Sequence, residues 1–250
     1  GANPKHTEGF GPLPSGFENI ELSQQQLEEK ISNKTAAVLI EPIQGEGGIR
    51  LTPKEDLQMI RDLTSKHGVL MILDQVQCGL GRTGDFFSHE WAGVEPDIIT
   101  LAKGLGAGFP IGAILASTDA SSGMVHGSHG STFGGNPLAC SVALKVLEII
   151  DEEKILSNVK SLSEFLLAGI NDIIENHKDK ITSVRGRGFM LGIKCEVENT
   201  LIAETALNNG LLLVPAADNI IRLLPPLNTE KNDIEEFFNL LNITLENLPR

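Results

Sequence analysis

No stretch of the chain is apolar for long enough to cross a membrane as a helix: no run approaches the 18 or more residues that a span requires. The first ten residues, GANPKHTEGF, lack the basic and apolar regions of a secretory signal. Basic residues are scarce. The 20 Lys and Arg stand against 33 Asp and Glu, a formal net charge of −13 that disfavours nucleic acid or an anionic membrane as the main partner, since both need a basic surface. Cysteine is scarce as well. Cys78, Cys140 and Cys195 are odd in number and widely spaced, so the sequence shows neither a disulfide framework nor a zinc-ligand spacing. No metal is expected, and the pattern fits a reducing cytoplasm. The absence of any G-x-x-x-x-G-K-[S/T] removes the P-loop nucleotide-binding class.

What is present can build a core. The 250 residues are 41% hydrophobic, enough for one large domain or two modest ones. NPKHTEGFGPLPSGF reads as a loop punctuated by proline and glycine, and a short helix is expected over 24–31. AAVLIEPI (36–43) reads as a buried strand running into the loop QGEGG. Thr52, Pro53 and Glu55 form a capping-box pattern, after which Leu57, Ile60, Leu63 and His67 recur at helical spacing until Gly68. VLMILDQV (69–76), DIITLA and IGAILAS read as further buried strands. This alternation of strand and helix argues for an α/β fold with a mostly parallel sheet, in which ligands bind at the carboxyl ends of the strands. Glu41, Asp74 and Lys103 lie at or near such ends. From Pro137 the pattern is helical to about His177, with a break near 154–158. Strand-like ITSVRGRGFMLGIKCE, a helix over 201–208, a strand pair around LLLVP and IIRLLPP, and a helix over 230–248 suggest a smaller α+β unit. The expected division is a larger unit over 1–155 and a smaller one over 156–250.

Several segments bear chemistry. GLGRTG (79–84) matches G-x-G-x-x-G, but QVQC separates it from the strand that ends at Asp74, and no strand-end acid follows at the distance a dinucleotide site needs. Tight turning is the better account of its glycines. Asp74 and Lys103 could simply pair. They could also hold an aldehyde cofactor, since a lysine desolvated at a strand end can attack a carbonyl and a carboxylate can keep a pyridine nitrogen protonated. Four glycines and a proline among residues 103–112 would let backbone pass close to such a group. EPIQGEGG places Glu41 and Glu46 around a turn. HGSTFGGNP sets hydroxyls ahead of a helix, which suits an anion or merely a cap. Arg222 is an isolated charge in IIRLLPP, or an edge-strand arginine with its head in water.

Taken in order, EPIQGEGG, LDQVQCGLGRTG, PDIITLAKGLGAGFPIGA, HGSTFGGNPLAC, VRGRGFMLGI and RLLPPL resemble the class III, pyridoxal phosphate-dependent aminotransferases over essentially the whole chain. GFGPLP and SHGSTFGGNPLAC look most like the acetylornithine branch of that family. The ornithine, succinylornithine and 4-aminobutyrate branches are close to it. The resemblance implies aminotransferase fold type I. It implies Lys103 as the lysine joined to the cofactor aldehyde and as the base that moves the substrate proton. Asp74 would pair with the pyridinium nitrogen, and Gln77, helped by Glu41, would bind the phenolic oxygen. Thr132, with Ser131 beside it, would reach the phosphate of a neighbouring subunit in a cytoplasmic homodimer with shared sites. Arg222 would bind the α-carboxylate of glutamate or 2-oxoglutarate, and Glu46 would pair with Arg222 and cover it when the diamine-type substrate enters.

Two departures accompany the resemblance. Gln75 stands where the family has glutamate beside the key aspartate. The chain begins at Gly1 in a turn-rich segment, and no counterpart of the family's glycine-rich phosphate loop, ring-stacking aromatic or second substrate arginine occurs in it. The expectation is therefore that these 250 residues are the C-terminal part of a longer protein. On its own this part would bind cofactor weakly and turn over little or nothing, and the alternative to an active aminotransferase is a non-catalytic fragment or a dimerisation module.

Overall fold

The structure, a computed structural model, describes residues 7–248. The first four residues of the expected N-terminal loop, 3–6, lie outside the described residues.

Helix α1 (Gln24–Lys30) starts where the Ser23 side chain accepts from the Gln26 amide. The single strand expected over 36–43 is two: β1 (Ala37–Ile40), and β2 (Ile43–Gln44), which pairs antiparallel with β3 (Arg50–Leu51). Pro42, which has no amide proton to give a ladder, sits at the break. Helix α2 (Lys54–His67) buries Leu57, Ile60 and Leu63 as the spacing predicts, leaves His67 exposed, and stops at Gly68 in a left-handed conformation. The expected capping box does not form. Pro53 stands at the N-cap without a side-chain bond, and Thr52 instead turns its hydroxyl to the Glu41 carbonyl at 3.2 Å, fastening β3 to the bend after β1.

The first sheet has the order β1–β4–β5–β6, with β4 (Leu70–Asp74), β5 (Ile98–Leu101) and β6 (Ala113–Ala116). β1, β4 and β5 are parallel, and β6 is antiparallel to β5. The parallel arrangement gathers Glu41, Asp74 and Lys103 at one edge. β1 and β6 are not the buried strands their composition suggested. Among the described residues each has one neighbouring strand, and Leu39 and Ile114 are 62% and 70% exposed. A run of apolar residues records what a strand could pack against, and says nothing about whether a neighbour is there.

A short helix α3 (Thr118–Ser121) leads to α4 (Pro137–Glu152), which breaks at Lys154 in a left-handed conformation before α5 (Ile155–Asn176), as expected. The hairpin β7 (Ile181–Arg187) and β8 (Met190–Cys195), helix α6 (Asn199–Asn208), β9 (Val214–Ala216), β10 (Ile220–Leu223) and helix α7 (Lys231–Glu246) follow. Their antiparallel sheet has the order β7–β8–β10–β9. Leu166, Ile170, Phe189, Ile202, Ile221 and Leu241 form its core against the helices. The fold class is thus α/β, a mostly parallel sheet joined to a separate antiparallel one.

The GLGRTG loop joins the two sheets. Gly81 and Gly84 both have positive φ, so its glycines serve tight turning. Arg82 donates to the Phe189 carbonyl at 3.3 Å and the Pro225 carbonyl at 2.5 Å, and accepts from the Phe189 amide at 2.9 Å. Burial pushes its guanidinium down to about 10. Asp85, nearly buried, takes Lys160 at 2.6 Å and Arg187 at 3.3 Å from the far side of the seam. Among the described residues no helix is long and apolar enough to cross a membrane.

Candidate active site

β4 ends at Asp74, whose Oδ1 accepts from the Val76 amide at 3.0 Å and so turns the chain sharply out of the sheet. The same turn brings Gln77 to the seam. β5 ends at Leu101, and two residues later Lys103 leaves the sheet with φ 44 at the head of a 3-10 turn. Lys103 is exposed, and it makes no hydrogen bond or ion pair to any described residue. The simple Asp74–Lys103 pairing therefore does not occur. The expected desolvation of Lys103 by its strand is not seen among the described residues, where Lys103 is exposed. Gln77, Leu80, Arg82 and Lys103 line one wall of a cleft whose other wall is Leu224 and Leu227, just after β10.

Arg222 is only 9% exposed, because β10 lies between β8 and β9 instead of at the edge. Its Nη1 donates to Glu46 Oε1 at 2.5 Å and to Gln77 Oε1 at 3.5 Å, while its Nε is buried without a partner among the described residues. The Arg222 hydrogen bond pulls the Glu46 carboxyl below its ordinary range. Gln77 reaches this pair because residue 45 is glycine: a Cβ there would lie 1.8 Å from the Gln77 amide oxygen. Glu41 is half-buried, and its Oε2 accepts from the Gly45 amide at 3.3 Å. Desolvation raises its carboxyl above the usual value, the Gly45 bond opposes this, and the charge of Asp74 adds to it. Glu41, Asp74, Gln77, Lys103, Glu46 and Arg222 thus gather at the strand ends and the seam.

Ser131 and Thr132 do not join them. Both are exposed in the loop before α4, and Ser131 Oγ accepts locally from the Gly134 amide at 2.9 Å. The cap of α4 is Asn136, whose Oδ1 accepts from the Ala139 amide.

Sequence reasoning passed over Arg82, Asp85, Arg185 and Asp218, all of which fasten loops at this seam. The only local signal was an arginine next to a glycine, in GLGRTG and VRGRG.

Gln75, the departure from the family pattern, is buried, and both its amide oxygen and its amide nitrogen are bonded. Its Oε1 accepts from the Ser88 amide at 2.7 Å and the Ser88 hydroxyl at 3.0 Å, which leaves Nε2 to donate to His89 Nδ1 at 2.6 Å. An amide nitrogen only donates, so His89 keeps its proton on Nε2. Burial pushes this imidazole below its usual pKa. The stability contributed by neutral His89 is therefore present above the unfolded value near ~6.5 and lost as pH falls through the lower folded value. Gln75→Glu replaces the donor with a carboxylate that favours a protonated His89, raising its folded pKa. That pair contributes fully below ~6.5 and fades as pH rises. The variant is expected to lose roughly 2 kcal/mol at pH 8, with the gap from wild type narrowing at pH 5.5. Thermal denaturation of both proteins at the two pH values checks this, and an equal gap at both would refute it.

The comparisons with known proteins bear on the family. The family pattern "Aminotransferase class-III" matches residues 5–245. Acetylornithine aminotransferase of Mesorhizobium japonicum is 47% identical over 240 residues, 96% of this chain and 60% of that protein. The enzyme of the same name from Methanocaldococcus jannaschii is 43% identical over 96% of this chain and 60% of its own length. Among solved structures, ornithine aminotransferase from Toxoplasma gondii ME49 matches at a TM-score of 0.93 and 31% identity, over 98% of this chain and 60% of that one. Acetylornithine aminotransferase from Elizabethkingia anophelis matches at 0.84 and 36%, over 90% and 58%. The chain spans about 60% of the length of the relatives it matches. With the family pattern running through nearly every residue and the strand-end cluster built on the motifs that carry it, the chain belongs to the class-III aminotransferases.

Proposed function

We propose that the protein transfers an amino group from the terminal amine of N-acetylornithine to 2-oxoglutarate, as a pyridoxal phosphate-dependent aminotransferase of arginine biosynthesis. The observation that carries this reading is the Gln77 side chain, which lines the Lys103 cleft and also reaches Arg222, so one amide borders both the cofactor side and the carboxylate side of the site. Class-III aminotransferases are pyridoxal phosphate-dependent, and the donor set suits that group: an unpaired amine at Lys103, a carboxylate at Asp74 and an amide at Gln77, all at one edge of a parallel sheet. Pyridoxal phosphate, when bound, supplies an electron sink that makes the proton on the amine-bearing carbon removable.

The remaining work falls to this chain. Lys103 Nζ would hold the cofactor and would be the base that takes and returns that proton. The Asp74 carboxylate favours a protonated ring nitrogen, and Gln77 with Glu41 orients the ring oxygen. Arg222 takes the α-carboxylate of glutamate or 2-oxoglutarate. Glu46 neutralises Arg222 when the substrate presents its terminal amine, so one pocket serves both half-reactions. The exposed Ser131 and Thr132 suit a phosphate held across a homodimer. The exposed apolar side chains Phe133, Leu138 and Leu144 nearby support such a contact, and three unpaired thiols suit the cytoplasm. A division into 1–155 and 156–250 belongs to the same reading, with Ile150 and Ile155 reaching from the larger unit into the core of the antiparallel sheet. Identities of 41–47% to acetylornithine aminotransferases favour that substrate over ornithine, the substrate in the names of solved structures 30–33% identical.

Borohydride reduction in the presence of pyridoxal phosphate, followed by digestion and mass spectrometry, tests the reading. A phosphopyridoxyl group is expected on the peptide containing Lys103. Label spread evenly over surface lysines would overturn it.

A further inference from the structure

The Glu46 side chain is 64% exposed although it pairs with Arg222, and its backbone is fastened as well. The Glu46 carbonyl accepts from the Ala217 amide at 3.3 Å. Two residues on, the Gly48 carbonyl accepts from Arg185 Nε at 2.8 Å, and the same guanidinium donates through Nη2 to Asp218 Oδ2 at 2.8 Å. Lys194 adds bonds to the Asp218 carbonyl at 2.6 Å and to its Oδ1 at 3.2 Å. Gly48 has φ 95, and a Cβ there would lie 2.5 Å from the Ala217 carbonyl oxygen and 2.9 Å from Arg185 Nη2, so the loop is pressed directly onto the turn between β9 and β10. Ile49, fully buried, lies against Gly186, Gly192 and Ile220 of the antiparallel sheet. The loop that follows β2 is thus carried by the sheet that carries Arg222, although in sequence it belongs to the other one.

We propose that Arg185 and Asp218 are positioning residues for substrate choice, pinning the backbone of the Glu46 loop to the β9–β10 turn so that Glu46 pivots at a fixed distance from Arg222. This rests on the reading of Glu46 and Arg222 given above. A pinned pivot keeps the carboxylate at high effective concentration beside the guanidinium, so an incoming substrate carboxylate must compete with it. A loosened pivot weakens that competition. Arg222 then opens to carboxylates and is less well neutralised when the terminal amine enters. Both consequences act through Glu46 and vanish without it.

The test uses the protein at its full encoded length, loaded with pyridoxal phosphate, and glutarate as an unreactive dicarboxylate probe. Glutarate affinity is measured by calorimetry, and kcat and KM are measured for acetylornithine and 2-oxoglutarate. Glu46→Gln is expected to tighten glutarate about tenfold, and Arg185→Ala and Asp218→Asn each about threefold to tenfold. KM for acetylornithine rises by a similar factor in the latter two, while kcat holds. Adding Arg185→Ala to Glu46→Gln changes glutarate binding no further, because the two share one route. Asp218→Asn keeps the shape of an exposed side chain, so it answers the question even where Arg185→Ala folds poorly. Unchanged glutarate binding in Arg185→Ala and Asp218→Asn, or an additive double variant, overturns the proposal while leaving Glu46 its role. Unchanged binding in Glu46→Gln removes the role of Glu46, and the proposal with it.

Discussion

In the protein at its full encoded length, and on the proposed role of Lys103, Lys103→Ala is expected to lower transamination by at least ~1000-fold, the scale on which a nucleophile that also serves as general base contributes. The same substitution is expected to leave the fold intact. Lys103 is exposed and makes no hydrogen bond or ion pair among the described residues, so its removal leaves no buried group unsatisfied. Its backbone sits at φ 44, in a region that a side chain makes costly by about 1 kcal/mol or more, and alanine inherits that strain unchanged. Lys103→Gly relieves it, so that variant is expected to be equally inactive yet to melt no earlier than wild type. Lys103→Arg keeps a positive charge without an amine that can lose its proton, and is expected to be as inactive as the alanine variant. Steady-state rates with melting temperatures check all three. A Lys103→Arg enzyme retaining a tenth of the activity would mean that the residue supplies charge alone.

Gly188→Ala carries the largest expected effect on stability. Gly188 turns the hairpin between β7 and β8 at φ 58, directly against the GLGRTG loop. An added Cβ would lie 2.5 Å from the Thr83 carbonyl carbon and 2.7 Å from the Arg82 oxygen, and these are backbone atoms that no side-chain rotation can move away. The two strands of the hairpin, the Arg82–Phe189 bonds and the Asp85 ion pairs must then shift together. A loss of about 3 kcal/mol or more is expected, a fall of roughly 6–12 °C in Tm for a chain of this size. Gly210→Ala separates strain from contact: Gly210 has φ 83 but nothing within 4 Å of its added Cβ, so only the left-handed cost of roughly 1 kcal/mol applies. Equal losses in the two variants, read by thermal denaturation, would show that the seam is looser than the structure has it.

The residues on which both expectations turn were unequally visible in the sequence. Asp74 and Lys103 were legible because each follows an apolar strand and begins a glycine-rich loop, a local pattern. Arg222 was legible as a charge where none is easily tolerated, but its setting was misjudged, since position in a sheet depends on which strands lie beside it. The same reason undid the buried reading of β1 and β6. Thr52 fitted a capping box by spacing, yet its hydroxyl went to Glu41, a partner that only the β2–β3 hairpin brings near. Arg185 carried no more than a neighbouring glycine and Asp218 no local sign, because their work is done on a loop more than a hundred residues earlier in the chain.

The sequence by itself determined the succession of strands and helices, the rejection of a dinucleotide loop at GLGRTG, and the family motifs that name the chemistry-bearing side chains. These depend on periodicity, turn-forming residues and residue type, all properties of short segments. Only the tertiary structure decided that Glu46 and Arg222, 176 residues apart, meet at 2.5 Å, and that Lys103 stands exposed while Arg222 is buried. Such meetings follow from strand order and from the packing of one sheet on another, which many separated contacts determine together and no single segment encodes.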